Sequence, residues 1–123
     1  MRSRKMHFSI VVPLFNEELN VSLLVEEIIN VLENKNFVFE IILINDSSTD
    51  STSNAIDNIK KKYPTFIIAL NNKKNIGQSY SIIKGIKNSS FETIVTIDGD
   101  LQNDPNDIPK LVNKYFLLED CHL

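Results

Sequence analysis

Short apolar runs alternate along this chain with stretches whose apolar residues recur every three or four positions. His7–Val12 reads as a first strand. Val21, Leu24, Val25, Ile28 and Leu32 then share one face of a helix, with Asn20 placed to cap its start. Phe39–Ile44 is a second, continuous apolar strand. Ala55, Ile56, Ile59 and Tyr63 mark a second helix, which Pro64 stops. Phe66–Leu70 follows as a third strand. Tyr80, Ile83 and Ile86 mark a third helix beginning near Gly77, and Thr93–Ile97 is a fourth strand. A last helix starts near Asp107 and runs through Leu111, Val112, Tyr115 and Phe116. Strands that are apolar on both faces and separated by helices pack as a parallel sheet covered on two sides. The pattern predicts one α/β domain of βαβαβαβα order over residues 7–118, between a basic tail (1–6) and a short C-terminal tail (119–123).

Composition narrows the function without naming it. The 123 residues suffice for one modest core. A net charge of −3 leaves no broad basic surface, so nucleic acid is not an expected partner. The single cysteine, Cys121, excludes an intrachain disulfide and fits a reducing cytosol. No uninterrupted apolar run approaches the roughly 18 residues of a membrane span. The basic start, Met1–Lys5, leads into an apolar stretch broken by Pro13, which suits a tail and a strand better than a secretion signal. These features point to a cytoplasmic protein, with the basic start as one route to peripheral contact with anionic lipid. Four parallel strands would also leave an open sheet edge, through which copies of the chain could associate.

The chemistry collects after the strands. In open α/β sheets, ligands sit beyond the carboxyl ends of the strands. The segments there are Pro13-Leu14-Phe15-Asn16-Glu17, Asn45-Asp46-Ser47-Ser48-Thr49-Asp50, Asn71-Asn72-Lys73-Lys74-Asn75 and Asp98-Gly99-Asp100. Asp98 and Asp100 are hard oxygen ligands two positions apart at a strand end, suited to Mg²⁺ or Mn²⁺. Gly99 between them lets the backbone turn tightly and a ligand come close. The same three residues also read as a plain Asp-Gly turn. Thr49 and Asp50 read as a helix cap, Asp46 as a ligand contact, and Glu17 and Glu18 equally as a solvated helix start. Other sites are excluded. Gly77, Gly85 and Gly99 are the only glycines, so no GxGxxG or phosphate loop exists. Asp98-x-Asp100-x-Gln102 lacks the glycine and glutamate of a calcium loop.

Four motifs in order, Val11–Glu18, Asn45–Asp50, Gly77-Gln78 and Asp98–Pro105, make the chain resemble the family 2 glycosyltransferases over about Phe8 to Tyr115. The polyprenyl-phosphate branch, which includes dolichol-phosphate mannose synthase, is the nearest in look. The resemblance implies a GT-A fold whose N-terminal half binds a nucleotide-sugar. It implies that Pro13, Phe15 and Glu17 line the nucleoside pocket, and that Asp46 hydrogen-bonds the base with Ile44 beside it. Asp98 and Gly99 would lie near the ribose and metal, and Asp98, Asp100 and Gln102 would hold Mg²⁺ or Mn²⁺. The partners implied are a UDP- or GDP-sugar donor and a lipid-phosphate acceptor. Two departures stand out: Asn45 where many members have Asp, and Ser47 where many have Gly. Family domains are considerably longer, so the sequence predicts a truncated, donor-binding half. Asp104, Asp107 and Glu119 match no general-base position, and no catalytic residue is assigned. A non-catalytic nucleotide-binding remnant is the alternative. A phosphorylated receiver domain fails for want of a fifth strand followed by lysine.

Overall fold

A computed structural model describes residues 6–33, 35–100 and 108 of the chain. Seven elements alternate: β1 (Met6–Leu14), α1 (Val21–Leu32), β2 (Phe37–Asn45), α2 (Thr52–Lys62), β3 (Ile67–Asn71), α3 (Gln78–Lys87) and β4 (Ile94–Thr96). The strands form one sheet in the order β3-β2-β1-β4, and every pairing is parallel. β1 and β2 extend beyond their expected apolar runs because each has a neighbour on both sides to satisfy its backbone. β4 is short, yet its ladder covers the expected Thr93–Ile97. Ser9 N–H donates to the Thr93 carbonyl at 2.9 Å, and Ile97 N–H to that of Val11 at 3.1 Å. The helix expected from Asp107 lies outside the described residues except for Ile108, which is helical and buried.

Strand alternation sends side chains to two unequal faces. Phe8, Ile10, Val12 and Leu14, with Phe39, Ile41 and Leu43 of β2, form the larger core beneath α1 and α2. Asn20 does occupy the start of α1, but its side chain makes no cap. It donates instead to Glu17 Oε2 at 2.8 Å. On the other face, Val11, Ile42 and Ile44 form a smaller cluster with the half-buried Ile68, Leu70 and Ile94.

α3 covers that second face by an unexpected side. Its buried residues are Ser81 and Gly85. A Cβ on Gly85 would stand 2.5 Å from Val11 Cγ1 and 2.9 Å from Ile44 Cδ1, so the helix lies closer to the sheet than a larger residue allows. Tyr80, Ile83 and Ile86, the residues that mark this helix in the sequence, are 66%, 46% and 43% exposed. The periodicity located the helix, but close packing on the sheet selected its small residues.

Strand β2 is not wholly apolar. Glu40 is buried at the amino end of the sheet, opposite Ser9 of β1. Ser9 Oγ and Ser90 N–H both donate to Glu40 Oε2 at 2.6 Å, and Ser90 Oγ donates to Oε1 at 3.0 Å. The carboxylate thereby ties the α3–β4 connection to the two central strands.

Candidate functional site

β1 is where the sheet changes direction: β2 and β3 step away on one side, and β4 lies on the other. In open α/β sheets this switch point opens a crevice at the carboxyl ends of the strands. A cleft of about 220 Å³ lies there. The end of β1 contributes Pro13, Leu14, Phe15 and Glu17 to its wall. Asp98, Gly99 and Asp100 follow β4 on the facing side. Asp46 closes the cleft from β2, and Gln78 and Ser81 do so from α3. Seven of the nine sequence-expected site residues thus meet in one place. Ile44 is fully buried in the core beneath α3 and does not line the cleft. Gln102 lies outside the described residues.

The loops that carry these residues are clamped to each other. Asn16 takes a positive φ of 54°, which asparagine tolerates. Its Oδ1 accepts the Thr49 N–H at 2.8 Å, and its own N–H donates to Ser48 Oγ at 3.0 Å. Glu17 N–H donates to Thr52 Oγ1 at 2.9 Å. Ser47 has φ 58°, in the left-handed region that favours glycine. The cap expected at Thr49 and Asp50 falls on Ser51, whose side chain makes no cap bond, and Thr49 is tied to Asn16 instead. Asp50 Oδ1 accepts both the N–H (2.9 Å) and the hydroxyl (2.5 Å) of Thr52 at the start of α2.

The Thr52 hydroxyl on Asp50 holds that carboxyl below its ordinary value of 3.8. A depressed folded pKa contributes stability that is present in full above the unfolded value and is lost as pH falls through the folded one. An Asp50→Asn chain keeps an acceptor but not the charge. Its melting temperature should lie below wild type at neutral pH and converge on it in acid below pH 3.8. A gap that stays constant across an acid titration of melting temperatures would rule this out.

Asp46 is 4% exposed, and its carboxylate organises the β3–α3 loop. Oδ1 accepts from Asn72 Nδ2 and Ile76 N–H, both at 2.8 Å, and Oδ2 accepts the Gly77 N–H at 2.9 Å. Asn72, also buried, donates to Ser81 Oγ at 3.0 Å and accepts from Lys84 Nζ at 3.1 Å. A carboxylate offers about four acceptor positions, so three bonds leave it capacity for a donor in the cleft. Asn72, Gln78 and Ser81 were not assigned to the site from sequence. The one signal for Asn72 was its place in a polar run after a strand.

Gly99 lies in a turn, as expected, and its lack of a side chain also serves packing. It does not take a positive φ. A Cβ there would run into the Leu14 side chain and lie 3.4 Å from Glu17 Cγ and the Pro13 carbonyl. The close approach is between the ends of β4 and β1, and it brings Asp98 and Asp100 to the cleft. Four carboxylates line the cleft, those of Glu17, Asp46, Asp98 and Asp100, with no lysine or arginine among the described lining residues. A diphosphate would meet repulsion there unless a cation stood between. Asp98 and Asp100 have the oxygen chemistry for Mg²⁺ or Mn²⁺, which take one or two carboxylates and fill the remaining positions with water and phosphate oxygens. Among the described residues no group of three or more His, Cys, Asp or Glu could hold a metal ion.

The model of glycosyl transferase family 2 matches residues 9–117. The undecaprenyl-phosphate 4-deoxy-4-formamido-L-arabinose transferase of Salmonella choleraesuis is 34% identical over 106 residues, 86% of this chain and 32% of that protein. Among solved structures, the mannosyltransferase PcManGT of Pyrobaculum calidifontis, in complex with GDP-Man and Mn²⁺, superposes with a TM-score of 0.73 at 19% identity, over 92% of this chain and 32% of that one. The glucosyl-3-phosphoglycerate synthase of Mycobacterium tuberculosis, in complex with Mn²⁺, UDP and glucosyl-3-phosphoglycerate, gives 0.70 at 20% identity, over 89% and 39%. The chain spans about a third of the length of the curated relative.

Proposed function

Because the chain belongs to glycosyltransferase family 2 and has the GT-A fold, we propose that it is the donor-binding part of a metal-dependent sugar transferase. The donor is a UDP- or GDP-hexose, and the acceptor of the whole protein is a polyprenyl phosphate. The observation that carries this reading is the acidic cleft at the β1/β4 switch point, where Asp98 and Asp100 face Pro13–Glu17 across the same space as Asp46. Pro13 and Phe15 offer apolar surface to a nucleoside. Asp46, an acceptor, favours bases with a ring N–H on their pairing edge, as uracil has at N3 and guanine at N1, where adenine and cytosine have a ring acceptor. Asp98 and Asp100 would hold Mg²⁺ or Mn²⁺, with Gln102 as a further ligand. When bound, the cation neutralises charge on the departing diphosphate. At about 220 Å³ the cleft is smaller than the roughly 300–1,000 Å³ of complete small-molecule pockets, in keeping with a site that houses part of the donor.

The lipid-phosphate acceptor is supported by the name of the Salmonella relative. No helix among the described residues is long and apolar enough to cross a membrane. Calorimetric titration of the chain with UDP and with GDP, each with and without Mn²⁺, tests the donor reading. One nucleotide should bind, and tighter with metal. Loss of a residue that merely orients a ligand costs 10–100-fold in metal affinity, so Asp100→Ala should lose about 100-fold or more of the metal-dependent gain. A folded chain that binds neither nucleotide would overturn the proposal.

A further inference from the structure

Two consecutive residues join the opposite ends of the cleft. Gly77 donates its N–H to Asp46 Oδ2 at 2.9 Å. The next residue, Gln78, donates from Nε2 to Asp98 Oδ1 at 2.8 Å. The nitrogen must be the atom facing Asp98, because a carboxylate only accepts. Gly77 has φ 92° and ψ 164°, a conformation open to glycine and not to residues with a Cβ. From Gln78 onward the chain is helix, closed by Ser81 N–H on the Gly77 carbonyl at 3.1 Å and pinned to the sheet at Ser81 and Gly85. Gln78 is thus held from both sides. The Asp46 carboxylate fixes the backbone before it, and a tightly seated helix fixes the backbone after it.

We propose that Gln78 is a positioning residue of the donor site, whose amide sets the plane of the Asp98 carboxylate so that Asp98 and Asp100 meet the cation in a single arrangement. The inference rests on the reading of the cleft as a metal-dependent nucleotide-sugar site. A metal-ligating carboxylate is commonly oriented by an outer hydrogen bond, and loss of that bond lowers metal affinity without removing a ligand. The same dipeptide places Asp46 and Asp98 on one rigid strut, so base and metal sites keep a constant separation.

Gln78→Met preserves length and shape while deleting the donor. Free Mn²⁺ measured by electron paramagnetic resonance during titration of the full chain should show a dissociation constant raised about tenfold or more over wild type. Binding of UDP and GDP in EDTA, and the melting temperature, should stay at wild-type values, which a merely structural role would not allow. Ser79→Ala, on the same exposed helix turn, should match wild type throughout. In the wild-type chain, the Gln78 side-chain amide signals should shift on saturation with Mg²⁺ while those of Asn88 at the far end of α3 do not, a readout that holds if Gln78→Met fails to fold. Equal Mn²⁺ affinity in wild type and Gln78→Met, or an unmoved Gln78 amide in a chain that binds Mg²⁺, overturns the inference and leaves the donor-site reading standing. A folded wild type that takes up no metal overturns both.

Discussion

Asp46→Ala should cost the fold about 3 kcal/mol and remove nucleotide binding together with it. The carboxylate accepts from Asn72 Nδ2, Ile76 N–H and Gly77 N–H. Each donor left unmatched in a buried site costs about 1–3 kcal/mol, and partial opening of the loop to water recovers some of that. Among the described residues every buried side-chain nitrogen and oxygen already has a partner. Against a typical domain stability of roughly 5–15 kcal/mol the loss is large. Asp46→Asn separates the two effects. It keeps the shape and one oxygen, but its amide must turn an N–H₂ toward a backbone N–H, and it offers the cleft a donor in place of an acceptor. Urea unfolding should rank wild type above Asp46→Asn above Asp46→Ala, with nucleotide binding lost in both variants. An Asp46→Ala chain within about 0.5 kcal/mol of wild type, the range of ordinary surface changes, would show that the loop does not depend on this carboxylate.

The strands were legible because a parallel sheet buried on both faces requires apolar residues in succession. Val11–Val12 and Ile41–Ile44 satisfy that requirement almost without interruption. The rim was legible for a related reason: in a parallel sheet, whatever follows each apolar run arrives at the same end. That logic brings Pro13, Glu17, Asp46 and Asp98 together from the order of the sequence alone. The strand order could not be read the same way, since an apolar run does not say which neighbour it takes. The placement of β4 beside β1, which makes the switch point, came from the structure. The contact face of α3 was also hidden. Apolar periodicity weights Tyr80, Ile83 and Ile86, whereas the packing uses Ser81 and Gly85, whose merit is lack of bulk. The bonds from Asn72 to Asp46 and from Gln78 to Asp98 span 26 and 20 residues, beyond any local signal.

Glu40 was concealed by its neighbours, and its replacement is the sharper test of how the fold and the site divide. It sits in a run otherwise apolar, Phe39–Ile44, and is buried with three donors on its two oxygens. Glu40→Ala leaves Ser9 Oγ and the Ser90 N–H without their acceptor and opens a gap between β2 and the α3–β4 connection. The expected loss is about 3 kcal/mol, again set by buried donors stranded without partners. Glu40→Gln should lose less, because one oxygen still accepts while the amide can donate to a serine hydroxyl, which rotates to suit. Both changes lie at the amino end of the sheet, and the cleft lies at the carboxyl end. At temperatures where each variant remains folded, the nucleotide and Mn²⁺ affinities should therefore match wild type within about threefold, since distant sites with no shared partners are usually additive to a few tenths of a kcal/mol. Asp46 and Glu40 are both buried carboxylates with three hydrogen bonds, and they differ in which end of the strands they occupy. If Glu40→Ala weakened nucleotide binding as much as Asp46→Ala, the affinity of the cleft would be a property of the whole sheet and not of its carboxyl rim.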